Sequence, residues 1–215
     1  MSYKTIYKEE TIEIEIKKSR FIGYASPVSS EEEAMDFIEK IKKKNPGARH
    51  NCYAYIIGEK MITQRYSDDG EPSGTAGIPI LEILKKKHLT DICVVVTRYF
   101  GGILLGAGGL IRAYSSACNE VTNKAVIVEK QEFSEISIEV DYNSYGRLLN
   151  YIEENEFYIL DKIFETEVII KLYIKSEVVE KFKKDILDLT SGNVKIIIDN
   201  VLLLTTKNNK LYIEG

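Results

Sequence analysis

The stretch VVVTRYFGGILLGAGGLIRAYSSA, residues 94–117, changes character twice. Its opening extends the run DICVVVTR (91–98), whose unbroken apolar residues predict a central strand buried on both faces. From Leu110 onward, apolar residues recur at Leu110, Ala113, Tyr114, Ala117 and Val121, the spacing of one buried helical stripe. Between strand and helix lie Gly101, Gly102, Gly106, Gly108 and Gly109. Such a passage can aim several N–H groups and the positive helix end at one anion, commonly a phosphate. Arg98 and Arg112 flank the loop and could clamp that anion. The pattern is neither a P-loop, since no Gly-Lys-Ser/Thr follows, nor a dinucleotide fingerprint, since no acidic residue stands about twenty positions on. Tight turning and close helix-to-sheet packing require glycine as well. On sequence alone both readings stand.

Working outward, eight of the 14 glycines fall between Gly70 and Gly109. The others of this group sit in SDDGEPSGTAGIP (67–79), a turn that joins Asp68, Asp69, Glu71 and Ser73 to a small-residue tract leading into a helix. Its carboxylates could hold Mg²⁺ or pair with Arg65 and Arg98, or serve only the turn; they are few for a dedicated oxygen cage, and no metal is expected. His50 and Cys52 share one face of a strand and could form a thiolate–imidazole pair, but no third orienting group is identifiable. Tyr53 and Tyr55 share a face as core or as a stacking platform. Lys42–Lys44 and Lys85–Lys87 read as helix-end charges.

The remaining elements follow from periodicity. Residues 11–17 and 20–27 predict strands, then a helix opens at Ser29 or Ser30 with Glu32 or Glu33 closing a capping box. Residues 50–58 and 61–66 predict a strand pair, and Pro79 begins a short helix. Near residue 130 the order becomes strand, helix, strand, strand, helix, strand, the ferredoxin-like βαββαβ arrangement. Its second helix is expected to be capped by Ser176, and residues 130–132 are expected to form the linker. Two domains result, 1–130 and 131–215, of a size ordinary for each.

Composition narrows the function classes. Residues 1–130 hold 19 Lys+Arg against 17 Asp+Glu, and residues 131–215 hold 10 against 16. Neither half is a strongly basic nucleic-acid binder, so any such binding must rest on a local patch. No apolar run approaches the length of a membrane span, and the alternating first twenty residues do not read as a signal peptide. A cytoplasmic protein with no membrane partner is expected. Cys52, Cys93 and Cys118 are odd in number and widely spaced, which predicts reduced buried thiols rather than a disulfide frame or zinc site.

The two glycine-rich segments resemble the signature of the IMPACT N-terminal domain. Arg20–Gly23 and Arg49–Tyr55 fit the same pattern, and the acidic remainder is similar to the C-terminal domain of the family's bacterial YigZ branch. The resemblance implies an α+β chain: a first domain with the fold of the second domain of ribosomal small-subunit protein five, then a ferredoxin-like domain like the last domain of elongation factor G. It further implies a non-catalytic regulator associated with translation, partnered by the ribosome, structured RNA or a translation-associated protein, and using no cofactor. Eukaryotic IMPACT restrains an amino-acid-starvation kinase by competing for its ribosome-linked activator, but the activator-binding segment is not identifiable here. Under this reading Arg49, His50, Arg65, Arg98 and Arg112 meet phosphates, while Gly101, Gly102, Gly106, Gly108 and Gly109 let backbone come close. The alternative is a nucleotide- or phosphate-binding enzyme or switch using loop 101–109, by analogy with small-molecule kinases.

Overall fold

The computed structural model describes residues 2–212. The chain divides into two compact units, Ser2–Glu129 and a second that begins at Lys130.

In the first unit, β1 (Ser2–Ile6), β2 (Glu10–Ile16) and β3 (Ser19–Pro27) lead to α1 (Glu31–Lys44), then β4 (His50–Ile57), β5 (Thr63–Ser67), α2 (Gly77–Lys86), β6 (Ile92–Tyr99) and α3 (Ala107–Lys124). Strands β2-β3-β6-β4-β5 form one sheet in that order, with every neighbour antiparallel. Strand β6 sits at the centre because both of its faces are apolar. Val94 and Val96 pack with Leu84 of α2 and with Leu110, Ala113 and Tyr114 of α3. Cys93 and Val95 pack with Ala34, Phe37, Ile38 and Ile41 of α1. Helix α1 starts where Ser30 Oγ accepts from Glu33 N, and Glu33 returns a carboxylate oxygen to Ser29 N, so the box reaches one residue beyond the cap. β1 was not foreseen; it lies beside residues 89–91, where Thr90 N donates to Lys4 O.

The second unit contains β7 (Ile127–Val140), which begins just before the boundary, then α4 (Tyr142–Glu154), β8 (Tyr158–Phe164), β9 (Val168–Lys175), α5 (Val179–Leu189), β10 (Lys195–Lys207) and β11 (Lys210–Leu211). The sheet order is β11-β10-β7-β9-β8. Its β10-β7-β9-β8 part is the ferredoxin-like order that the sequence pattern predicts. One sheet face, through Ile136, Ile138, Ile170 and Leu172, packs with Leu148, Ile152, Phe182 and Ile186 of the two helices.

Two local expectations are corrected. Residues 130–132 are continuous strand within β7 rather than a linker. Ser176 opens a 3₁₀ turn, Ser176–Val178, and its hydroxyl lies 3.2 Å from that of Ser134; it does not cap α5.

Candidate functional site

The antiparallel registers collect the unusual residues at one end of the first sheet. The β2–β3 turn at Lys17 and Lys18, the start of β4 at His50 and the finish of β6 at Arg98 and Tyr99 all lie there, because His50 pairs with Arg98, and Arg20 with Tyr99. The two glycine segments leave from this end.

The first segment closes on itself. Asp68 Oδ1 accepts from the amides of Ala76 (3.0 Å) and Gly77 (2.8 Å), and Oδ2 from that of Gly74 (2.8 Å). A carboxylate of the chain therefore already occupies the N-terminus of α2, where the helix dipole favours negative charge. Gly77 is required by packing, since an added Cβ would lie 2.8 Å from the Ser67 backbone.

The other carboxylates diverge. Asp69 Oδ2 accepts from Asn51 N at 2.7 Å, while Glu71 is buried and its Oε1 accepts from Arg98 Nη1 (2.7 Å) and Tyr114 Oη (2.8 Å). Facing separate partners, they do not converge on one metal position, and no group of three metal-type ligands occurs among the described residues. Ser73 is exposed beside them.

Arg98 is correspondingly not a free clamp for the neighbouring loop. Its guanidinium is spent on Glu71, lies over the rings of Phe21 (5.5 Å) and Phe100 (5.6 Å), and keeps a buried Nε without a hydrogen-bond partner.

His50 and Cys52 do not pair with each other. His50 Nδ1 is 2.9 Å from Asp69 O, and Cys52 Sγ donates to Asp68 O at 2.9 Å. Burial, together with the nearby carboxylates of Glu71, Asp69 and Asp68, pushes the Cys52 thiol well above its ordinary range, although a bond to Tyr114 works the other way. This is the opposite of an activated nucleophile. Tyr53 and Tyr55 stack at 6.3 Å, and Tyr55 donates to Glu31. Arg65 joins that group, 3.7 Å from Glu31. Tyr55 packs among the α1-side core residues, so Arg65 is allied with α1 and not with the glycine loops.

The second segment is open. Gly101 is fixed against the β2–β3 turn: its N–H donates to Ser19 Oγ at 3.1 Å, and a Cβ there would overlap the Lys18 carbonyl. Beyond it the loop exposes Phe100, Ile103 and Leu104, the last with 84% of its surface accessible. Gly106, with φ +71°, turns the chain into α3, whose first turn has no side-chain cap. A Cβ at Gly102, Gly106 or Gly108 would meet open space, whereas one at Gly109 would press on Leu105 at 3.0 Å. Glycine is thus demanded by packing at 101, by backbone geometry at 102 and 106, and by neither at 108. A cleft of about 200 Å³ beside this helix start is lined by Ile16, Lys17, Leu105, Gly109, Arg112 and Ser116. Arg112, Lys18 and Arg49 are exposed, and no ion pair is found for any of them or for Lys17 among the described residues. Lys17 and Lys18 escaped the sequence reading; their signal was a Lys-Lys pair between two alternating strands, where a tight turn must fall.

Residues 17–122 match the Impact N-terminal domain and residues 138–193 a domain of unknown function, DUF1949. The chain is 45% identical over 195 residues to IMPACT family member YvyE of Bacillus subtilis, covering 91% of this chain and 90% of that one. The chain belongs to the IMPACT family. It is 32% identical over 189 residues to IMPACT family member YigZ of Escherichia coli, covering 87% of this chain and 93% of the relative. A crystal structure of a hypothetical protein aligns with a TM-score of 0.59 at 29% identity, over 93% of this chain and 98% of that one. The Impact N-terminal match runs from Lys17 to Thr122 and so includes both glycine segments and the turn lysines. Among the described residues, no helix is long and apolar enough to cross a membrane.

Proposed function

We propose that this IMPACT family member is a non-catalytic regulator of translation whose first unit contacts the ribosome or structured RNA through loop 100–109. The observation that carries the reading is Gly108: neither packing nor backbone geometry requires it, and its missing side chain leaves the uncapped start of α3 accessible. Lys17, Lys18, Arg49 and Arg112, which have no ion-pair partner among the described residues, give this end of the sheet positive charge suited to backbone phosphates. Phe100, Ile103 and Leu104 add apolar surface able to lie against bases or a ribosomal protein. Arg98 and His50 act one layer deeper, holding the ends of β6 and β4 in place.

The competing reading, a nucleotide-binding enzyme or switch at the same loop, has less support. The adjoining cleft of about 200 Å³ falls below the roughly 300–1,000 Å³ usual for small-molecule sites.

Ultracentrifugal co-sedimentation with ribosomes tests the proposal. Association at low salt should weaken steeply as salt rises, and Lys17→Glu combined with Arg112→Glu should reduce it about tenfold or more. Equal recovery of wild type and double variant in the ribosomal pellet would remove this loop from the contact. Calorimetry with ATP, GTP and Mg²⁺ addresses the competing reading; micromolar affinity lost in Arg112→Ala would favour it.

A further inference from the structure

The second unit carries a separate cleft of about 590 Å³, within the range typical of small-molecule sites. Its floor is the sheet face turned away from α4 and α5. Across β7 and β9, Phe133 lies opposite Lys175, and across β9 and β8, Tyr173 lies opposite Tyr158. Side chains alternate along strands, so these four project from the same face. The rings of Tyr158 and Tyr173 run nearly parallel, 17° apart with centroids at 6.2 Å, and both line the cleft.

Charge at the rim is specific. Lys210, from β11, is paired with Glu156 at 3.1 Å. Lys175 has a 3.5 Å contact with Asn209 and no ion-pair partner among the described residues. The surrounding polypeptide points away from a long polyanion, since residues 131–215 hold 10 Lys+Arg against 16 Asp+Glu. Two near-parallel aromatic rings beside an ammonium with no ion-pair partner among the described residues, in a space of this size, favour a small planar ligand bearing an anionic group.

We propose that this cleft binds a nucleoside monophosphate, with the base against Tyr158 and Tyr173 and the phosphate at Lys175. The site is independent of loop 100–109 and of any contact with the ribosome.

Calorimetric titration of the full chain with adenosine monophosphate tests this, with adenosine, ribose 5-phosphate and hexaadenylate as comparators. Saturable binding of the monophosphate is expected, with adenosine and ribose 5-phosphate each weaker by about tenfold or more, since each lacks one of the two contacts. Tyr173→Ala and Lys175→Ala should each cost about tenfold, while Tyr173→Phe, which keeps the ring, stays within about threefold. Circular dichroism confirms that the variants are folded. No saturable heat with the monophosphate, or an affinity unchanged by Lys175→Ala, overturns the assignment. So does tighter Lys175-dependent binding of hexaadenylate, which would make the occupant part of a nucleic-acid strand.

Discussion

Arg98 Nη1 lies 2.7 Å from Glu71 Oε1, and this buried ion pair ties the end of the central strand β6 to the turn that precedes α2. Tyr114 of α3 donates to the same oxygen, so one carboxylate joins three elements. Removing one partner strands a charge in the interior. Glu71→Ala should therefore destabilise the first unit by about 3–5 kcal/mol, measured by urea denaturation. A loss below about 1 kcal/mol would mean that water reaches Arg98 and that the pair is not truly buried.

Asp68 gathers three backbone amides, those of Gly74, Ala76 and Gly77. Asp68→Ala should cost about 2–3 kcal/mol, and Asp68→Asn less, since an amide oxygen still accepts but without charge. Stabilities of the two variants in the same denaturant series provide the comparison. Equal stability of wild type and alanine variant would show that solvent satisfies those amides equally well.

Gly101 and Gly108 should respond oppositely to alanine. At Gly101 the new methyl overlaps the Lys18 backbone, which predicts a loss of about 1–3 kcal/mol and displacement of the β2–β3 turn. At Gly108 it meets open space within a helix, so stability should hold or rise by up to about 1 kcal/mol. Ribosome association of Gly108→Ala should nevertheless fall if loop 100–109 is the contact. Thermal melting and co-sedimentation of this one variant separate stability from function.

Cys52, Cys93 and Cys118 are all buried and unpaired, and burial raises every one of their thiol pKa values, that of Cys118 to about 12. The native protein at pH 8 should react with a thiol-specific disulfide reagent only at its rate of opening, and all three thiols should react at once in denaturant. The folded state retains these protons where the unfolded chain, with thiols near their ordinary value of 9.0, releases them. Thiol-linked stability is therefore fully present below pH 9 and declines as pH rises above it. A flat stability profile from pH 8 to 10.5 would contradict the assigned burial.

Much of the architecture could be read from spacing alone. The apolar run at 92–96 marked the central strand, and the stripe from Leu110 to Val121 marked α3, because burial on two faces or on one leaves a different period in the chain. The polar partners were harder to see. Arg98, Glu71 and Tyr114 are far apart in sequence, and only the sheet register brings them together. The sequence offered Arg98 both as a clamp for the glycine loop and as a partner for the turn carboxylates, and the register selects the second, with Glu71. Lys17 and Lys18 were overlooked for the converse reason: two lysines at a turn become distinctive only once Gly101 is seen resting on the Lys18 backbone. The strand through residues 130–132 was hidden by its polar composition, which resembles that of a linker although the backbone stays extended.

The two glycine tracts differ in what becomes of their amide protons. Those of Gly74, Ala76 and Gly77 are sealed when the chain folds, by a carboxylate that cannot diffuse away, and should exchange with deuterium only through opening of the turn. Those of Ala107, Gly108 and Gly109 have no side-chain cap among the described residues and should label within the earliest time points, then slow whenever something settles on them. Deuterium uptake at these two places thus distinguishes a tract built for rigidity from one left vacant for a visitor.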